Sequence, residues 1–123
     1  MDVRLGPTHL LALFAKFKKN VSIGAHSKIQ SQSFICEFDS TGENCFVGNG
    51  VMFINDLFHE DSTAGGYQSK WKSTNIGNHV SIGSNATILT VRICDVVLIG
   101  AGSVVTKDIK EKGIYNGNPA KKN

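Results

Sequence analysis

Large apolar residues recur at every sixth position in this chain: Ile23, Ile29, Ile35, Val47 and Phe53, with Thr41 holding the same place in the series. The beat returns at Ile76, Ile82 and Ile88, slips by one residue, and resumes at Ile93, Ile99 and Val105. An amphipathic helix needs a period near 3.6 and a half-buried strand a period of 2. Six fits neither. It is the period of a hexapeptide β-helix, in which each hexad supplies one short strand and one corner.

A second register supports the first. Four residues after each beat stands a residue that is usually small: Ser27, Ser33, Cys45, Val51, Val80, Ala86, Val97 and Ser103. Glycine directly follows many beats, at Gly24, Gly42, Gly48, Gly77, Gly83 and Gly100. The pattern predicts a triangular prism. Large aliphatic side chains fill it, small ones lie where its walls converge, and Gly or Asn takes the unusual backbone angles of the corners. Three hexads close one coil, so the chain holds about four coils, stacking to roughly 19 Å.

The length of 123 residues is that of one domain. A solenoid needs both ends covered. Residues 1–20 are the expected N-terminal cap and 107–123 the C-terminal one. The segment Thr8 to Lys19 has apolar residues at Leu10, Leu13, Phe14 and Phe17, which predicts a short capping helix with Thr8 as N-cap. Its apolar stretch is too short for a bilayer and no small-residue cleavage site follows, so no membrane is expected. The net charge of +3 comes from scattered lysines without interleaved aromatics, which argues against nucleic acid. Cys36, Cys45 and Cys94 form neither a disulfide framework nor a zinc-ligand spacing, and suit a reducing cytoplasm.

Between Phe53 and Ile76 the beat is lost, predicting a loop over 54–75 that leaves the prism. Long loops in compact repeats tend to carry function. This one holds Asn55, Asp56, His59, Glu60, Asp61, Tyr67, Lys70 and Trp71. The slip between Ile88 and Ile93 puts Arg92 in the small-residue register. A buried arginine is costly there, so the local register is expected to shift and turn Arg92 outward. Asp39 and Thr41 place two polar residues in the core registers of one hexad and predict a wall that is locally polar or distorted.

The C-terminal run "VVLIGAGSVVTKDI", followed by "GIYNGNPAKK", together with the hexads from about Asn20 to Lys122, resembles the left-handed β-helix, hexapeptide-repeat acyltransferases. The run "GVMFIND" before the loop, with "SIGSNATIL" after it, is similar to the branch that acetylates the amino group of nucleotide-linked amino sugars. The resemblance implies an all-β solenoid, a left-handed parallel β-helix, assembled as a homotrimer with its grooves between subunits. It implies acetyl-CoA as acyl donor, a small-molecule amino-sugar acceptor, and no metal. It assigns cofactor binding to Gly83, Ala101, Gly102, Ser103, Thr106 and Lys107, with Lys121 as a further phosphate partner. Small residues let a pantetheine arm reach backbone amides, and charge-assisted contacts from lysines suit phosphates.

In the same terms Asn55, from the "IND" motif, holds acceptor or thioester, and Asp56 binds the sugar or accepts a proton; the alternative is a plain turn at this pair. His59 departs from the amino-sugar branch, which commonly has proline nearby. O-acetylating relatives place a catalytic histidine in this stretch, and a hydroxyl acceptor needs a base far more than an amine does. His79, in "GNHVSIG", is a second base candidate, while His9 and His26 are expected at the surface. No Ser or Cys stands in a nucleophile-base motif, so direct attack in a ternary complex is expected. The rivals are O-acetylation of a sugar hydroxyl by way of His59, a non-catalytic scaffold, and a zinc carbonic anhydrase. His26, His59 and His79 would be the ligands of that zinc, at spacings unlike that family's.

Overall fold

A computed structural model describes residues 3–5, 10–11, 16–18, 20–55 and 73–123. Its strands form three walls. The first wall holds β1 (Val3–Leu5), β4 (Val21–Ile23), β7 (Ser40–Thr41), β10 (Asn75–Ile76) and β13 (Arg92–Ile93). The second holds β2 (Leu10–Leu11), β5 (Lys28–Ile29), β8 (Phe46–Val47), β11 (Ser81–Ile82), β14 (Val97–Ile99), β16 (Gly113–Asn116) and β17 (Lys121–Lys122). The third holds β3 (Lys16–Phe17), β6 (Phe34–Ile35), β9 (Met52–Phe53), β12 (Thr87–Ile88) and β15 (Val104–Val105). All pairings are parallel except that of β16 with β17, which closes the C-terminal end as an antiparallel hairpin.

The register confirms the beat. Ile29, Val47, Ile82 and Ile99 stand directly above one another, as do Thr41, Ile76 and Ile93. All are buried, with Phe53, Ile88 and Val105 completing the column of the third wall. The eight residues of the small register are buried as well. Every third strand in sequence is therefore a neighbour in space, and the core is a column of side chains sealed by parallel ladders.

Three expectations change. The segment from Thr8 to Lys19 was expected to be helical, yet Leu10–Leu11 pairs with β5 and Lys16–Phe17 with β6. With β1 under β4, these strands extend the solenoid below Val21. An open ladder edge on β4, β5 and β6 offers more hydrogen bonds than a helix could accept, and this tertiary demand overrides the helical spacing. The glycines after the beat do not supply the unusual angles. The left-handed corner residue is two positions further on: His26, Gln32, Phe38, Asn44, Gly50, His79, Asn85, Val96 and Gly102, with φ between 55° and 71°. The beat-following glycines are needed for closeness. A Cβ on Gly83 would lie 2.5 Å from the Ala101 nitrogen of the next coil, and one on Gly48 would lie 2.8 Å from the Ser84 nitrogen. Finally, Asn75, assigned to the loop, lies in β10.

The slip resolves as expected: Val91 is buried and Arg92 exposed. The polar wall is also real, since Asp39 and Thr41 are both buried.

Candidate functional site

The three walls meet at three edges. The first edge, from wall one to wall two, stacks residues 24–27, 42–45, 77–80 and 94–96. The second stacks 30–33, 48–51, 83–86 and 100–103. The third, from wall three back to wall one, carries 36–39, the segment between Phe53 and Asn75, the short turn 89–91, and 106–108.

Asn55 lies on the third edge, buried, at the mouth of a hollow of about 430 Å³ lined by Phe34, Cys36, Met52, Phe53 and Ile54. A smaller hollow of about 200 Å³ adjoins it and adds Lys18 and Glu37. The Lys18 ammonium sits 5.8 Å from the centre of the Phe34 ring, within cation–π range. Asn55 thus faces an apolar floor with charged groups on one rim.

Thr106 and Lys107 share this edge. Ile54 N–H donates to Ile88 O at 2.9 Å, and Leu89 N–H donates to Val105 O at 3.1 Å. Asn55 is therefore separated from Lys107 by two coil rises, roughly 10 Å along the prism. Both Thr106 and Lys107 are exposed.

Gly83, Ala101 and Gly102 stack on the second edge, with wall three between them and the third. Ala101 and Gly102 are exposed, and no atom lies within 4 Å of a Cβ placed on Gly102, so a ligand can reach this backbone. Ser103 is different. It is buried, and its hydroxyl accepts the Gly117 N–H at 3.1 Å, a bond that fixes the C-terminal hairpin. Lys121 lies on that hairpin in the second wall, opposite Asn116, apart from Lys107.

His79 occupies the first edge, exposed, in a left-handed corner. It borders an open hollow of about 600 Å³ with Ser81, Val96, Leu98, Lys112 and Ile114. Within one chain His79 and Asn55 stand on different edges of the prism. His26 is exposed on the same edge as His79. His9, Asp56 and His59 lie outside the described residues. Among the described residues no three His, Cys, Asp or Glu side chains converge to hold a metal, and no helix is long and apolar enough to cross a membrane.

One group of residues at the site went unrecognised. The Asp39 carboxylate accepts the Cys36 N–H at 3.0 Å and the Thr74 N–H at 2.8 Å. The Cys36 thiol donates to Phe53 O at 2.8 Å, and the backbone of Asn55 is a further hydrogen-bond partner of that sulfur. Burial pushes the Asp39 carboxyl up to about 7, against the two amide donors that favour its charge. Burial, then the neighbouring Asp39, pushes the Cys36 thiol up to about 12, which makes it a poor nucleophile. The available signal was the coincidence of a buried-register carboxyl with the edge from which the loop later departs.

Comparison with known proteins agrees with the hexapeptide-repeat fold. A family model described as the hexapeptide repeat of succinyl-transferase matches residues 74–107. The chain is similar to the bifunctional protein GlmU of Streptococcus uberis, 32% identical over 117 residues, covering 94% of this chain and 25% of that protein. It thus spans about a quarter of the length of that curated relative. Among solved structures it is similar to a maltose O-acetyltransferase from Clostridium difficile, with a TM-score of 0.83, 25% identity, and coverage of 97% of this chain and 67% of that one. It is also similar to a galactoside acetyltransferase in complex with coenzyme A, with a TM-score of 0.82, 25% identity, and coverage of 97% and 62%.

Proposed function

We propose that the protein is a coenzyme A-dependent acetyltransferase that moves an acetyl group from acetyl-CoA to the amino group of a nucleotide-linked amino sugar. The observation that carries this reading is the third edge: Asn55 beside a hollow, with Thr106 and Lys107 two coils above it on the same line. The likeness to a galactoside acetyltransferase crystallised with coenzyme A supports the donor.

In this reading the pantetheine arm runs along wall three, between the open backbone of Ala101–Gly102 and the third edge. Lys107 meets a phosphate, and the thioester points toward Asn55. The neutral amine attacks the thioester carbonyl, and the carbon–sulfur bond breaks. The thiolate leaves with the sulfur electron pair and takes up a proton, while the new ammonium loses one to a base. Asp56 is our candidate for that base. The Asn55 carboxamide holds the acceptor or polarises the carbonyl. The apolar floor keeps water from competing for the acetyl group.

The assembly is a homotrimer in this reading. The outward row of wall two places Phe46, Leu98 and Ile114, all more than 40% exposed, in one register with Lys28 and Ser81. The corresponding row of wall one is polar: Ser22, Ser40, Asn75 and Arg92. A site that used both His79 and Asn55 would draw them from two copies, because one chain holds them on different edges. The donor, and the three free cysteines, suit the cytoplasm.

A second reading is O-acetylation of a sugar hydroxyl with His59 as general base, favoured by the likeness to a maltose O-acetyltransferase. Thiol release from acetyl-CoA separates the readings when nucleotide-linked amino sugars and neutral disaccharides are compared side by side. Release with the amines, losing less than about tenfold in His59→Ala, supports the first reading. Release with the neutral sugars, abolished in His59→Ala, supports the second. No release with either class leaves a non-catalytic scaffold in front.

A further inference from the structure

Among the described residues the third edge is the one place where the repeat carries a buried charge-bearing group, and that group connects the two chain limbs on either side of the candidate site. The chain reaches Asn55 from β9 and re-enters wall one at Ser73 and Thr74. Asp39, with no exposed surface, stands between the limbs. One oxygen accepts from Thr74 N–H at 2.8 Å, on the returning limb. The other accepts from Cys36 N–H at 3.0 Å. Cys36 in turn donates its thiol hydrogen to Phe53 O at 2.8 Å and contacts the Asn55 backbone, on the outgoing limb. The Thr74 hydroxyl carries the chain of bonds to Leu89 O at 3.2 Å, in the coil above.

Every other hexad manages its small register without a carboxyl. Val51, Val80 and Val97 occupy the same position and are buried by shape alone. A buried carboxyl in place of valine costs stability, so its retention calls for a return elsewhere. The ladder uses the Thr74 carbonyl, which accepts from Ser40 N–H at 3.0 Å, while the Thr74 N–H, just ahead of β10, is taken by the Asp39 carboxylate in the coil below.

We propose that Asp39 is a positioning residue that braces the two limbs flanking Asn55 and holds the Asn55 side chain in place for acetyl transfer. The brace stands on geometry alone; its catalytic consequence rests on the function proposed above.

The test uses the full chain and Asp39→Val, which copies the residue found at this register elsewhere. The fold should survive, with a urea midpoint equal to or above that of the parent. Thr74 and Cys36 amides should exchange at least about tenfold faster, while Val80 and Ile99 amides keep their protection. The Asn55 side-chain amide resonance should shift or broaden. The turnover number should fall by about tenfold or more at an unchanged dissociation constant for acetyl-CoA. Asp39→Asn, which keeps one acceptor oxygen, should lie between the two and serves as the working variant if the valine protein fails to fold. Parental protection at Thr74, an unmoved Asn55 resonance, or loss of protection spread evenly over the solenoid would overturn the brace. Unchanged turnover in an active protein would overturn its positioning role. If the parent chain transfers no acetyl group, the functional reading fails, and the exchange and Asn55 resonance data still decide the brace.

Discussion

On the second edge of the prism the four turns at 30–33, 48–51, 83–86 and 100–103 are nearly interchangeable; on the third edge no two turns are alike. The second edge obeys the repeat at every point. Gln32, Gly50, Asn85 and Gly102 share the left-handed corner, and backbone bonds such as Asn85 N–H to Asn49 O, 2.9 Å, link each turn to the next. The third edge has a turn holding Asp39, an interruption of the beat, a turn one residue short, and an open end at Thr106–Lys107. Each coil needs three strands to close, but its edges need only be passable. A solenoid can therefore confine irregularity to one edge while the other two keep the core in register. Candidate chemistry collects where the repeat is broken.

The sharpest way to break this comparison is to damage the regular part. Ile82 is buried in wall two between Val47 and Ile99. Ile82→Ala should lower the unfolding free energy by about 4 kcal/mol in urea titrations, as a close-packed column requires. A loss below about 1 kcal/mol would mean that the column is loosely packed and the contrast between edges is false.

A smaller effect is expected from pH on the irregular edge. The Asp39 carboxyl is raised from 3.8 in the unfolded chain to about 7 in the fold. Its protonation therefore favours folding: the contribution is complete below pH 4 and is lost as pH rises through 7. The difference is on the order of 3 kcal/mol across that window. Urea midpoints of the parent should fall between pH 4 and pH 7 relative to those of Asp39→Asn. Parallel pH curves for the two proteins would show that Asp39 titrates like an exposed carboxyl.

The smallest change sharpens the contrast further. The Thr41 hydroxyl is buried and has no hydrogen-bond partner. Thr41→Val restores the aliphatic beat, and should raise stability by about 1–2 kcal/mol by removing an unsatisfied group. Thermal and urea unfolding of the variant would measure it. A loss of stability would assign the hydroxyl a bond within the polar wall.

These experiments also divide what the sequence makes legible from what it hides. The beat at Ile23 through Val105 and the small register behind it specify the prism, because both are consequences of three short walls closing on one column. The outward turn of Arg92 follows from the cost of burying a guanidinium. The strands at Leu10–Leu11 and Lys16–Phe17 were not legible. Their spacing reads as helical, and only the unpaired edge of β5 and β6 explains why they pair. The corner positions were misplaced by two residues, because glycine supplies close approach as often as positive φ. His26, Gln32, Phe38 and Val96 hold the left-handed angle without being glycine. At the candidate site, Asn55 could be chosen from its motif, and its place on one edge with Thr106 and Lys107 follows from the hexad count. The brace through Asp39 could not be derived. It depends on which amide faces the carboxyl after a long interruption, and that is a tertiary fact. Within one chain Lys121 lies in the second wall and His79 on the first edge, placements that their sequence neighbours do not reveal.

The most direct test of the account is calorimetric titration of the full chain with acetyl-CoA, with molecular mass measured alongside. Binding is expected in the micromolar range at one equivalent per chain of a trimer, weakened about tenfold or more by Lys107→Ala and hardly at all by Lys121→Ala. A well-folded protein that takes up no acetyl-CoA, or one that binds it equally well without Lys107, would contradict the placement of the donor along wall three with its phosphate at Lys107.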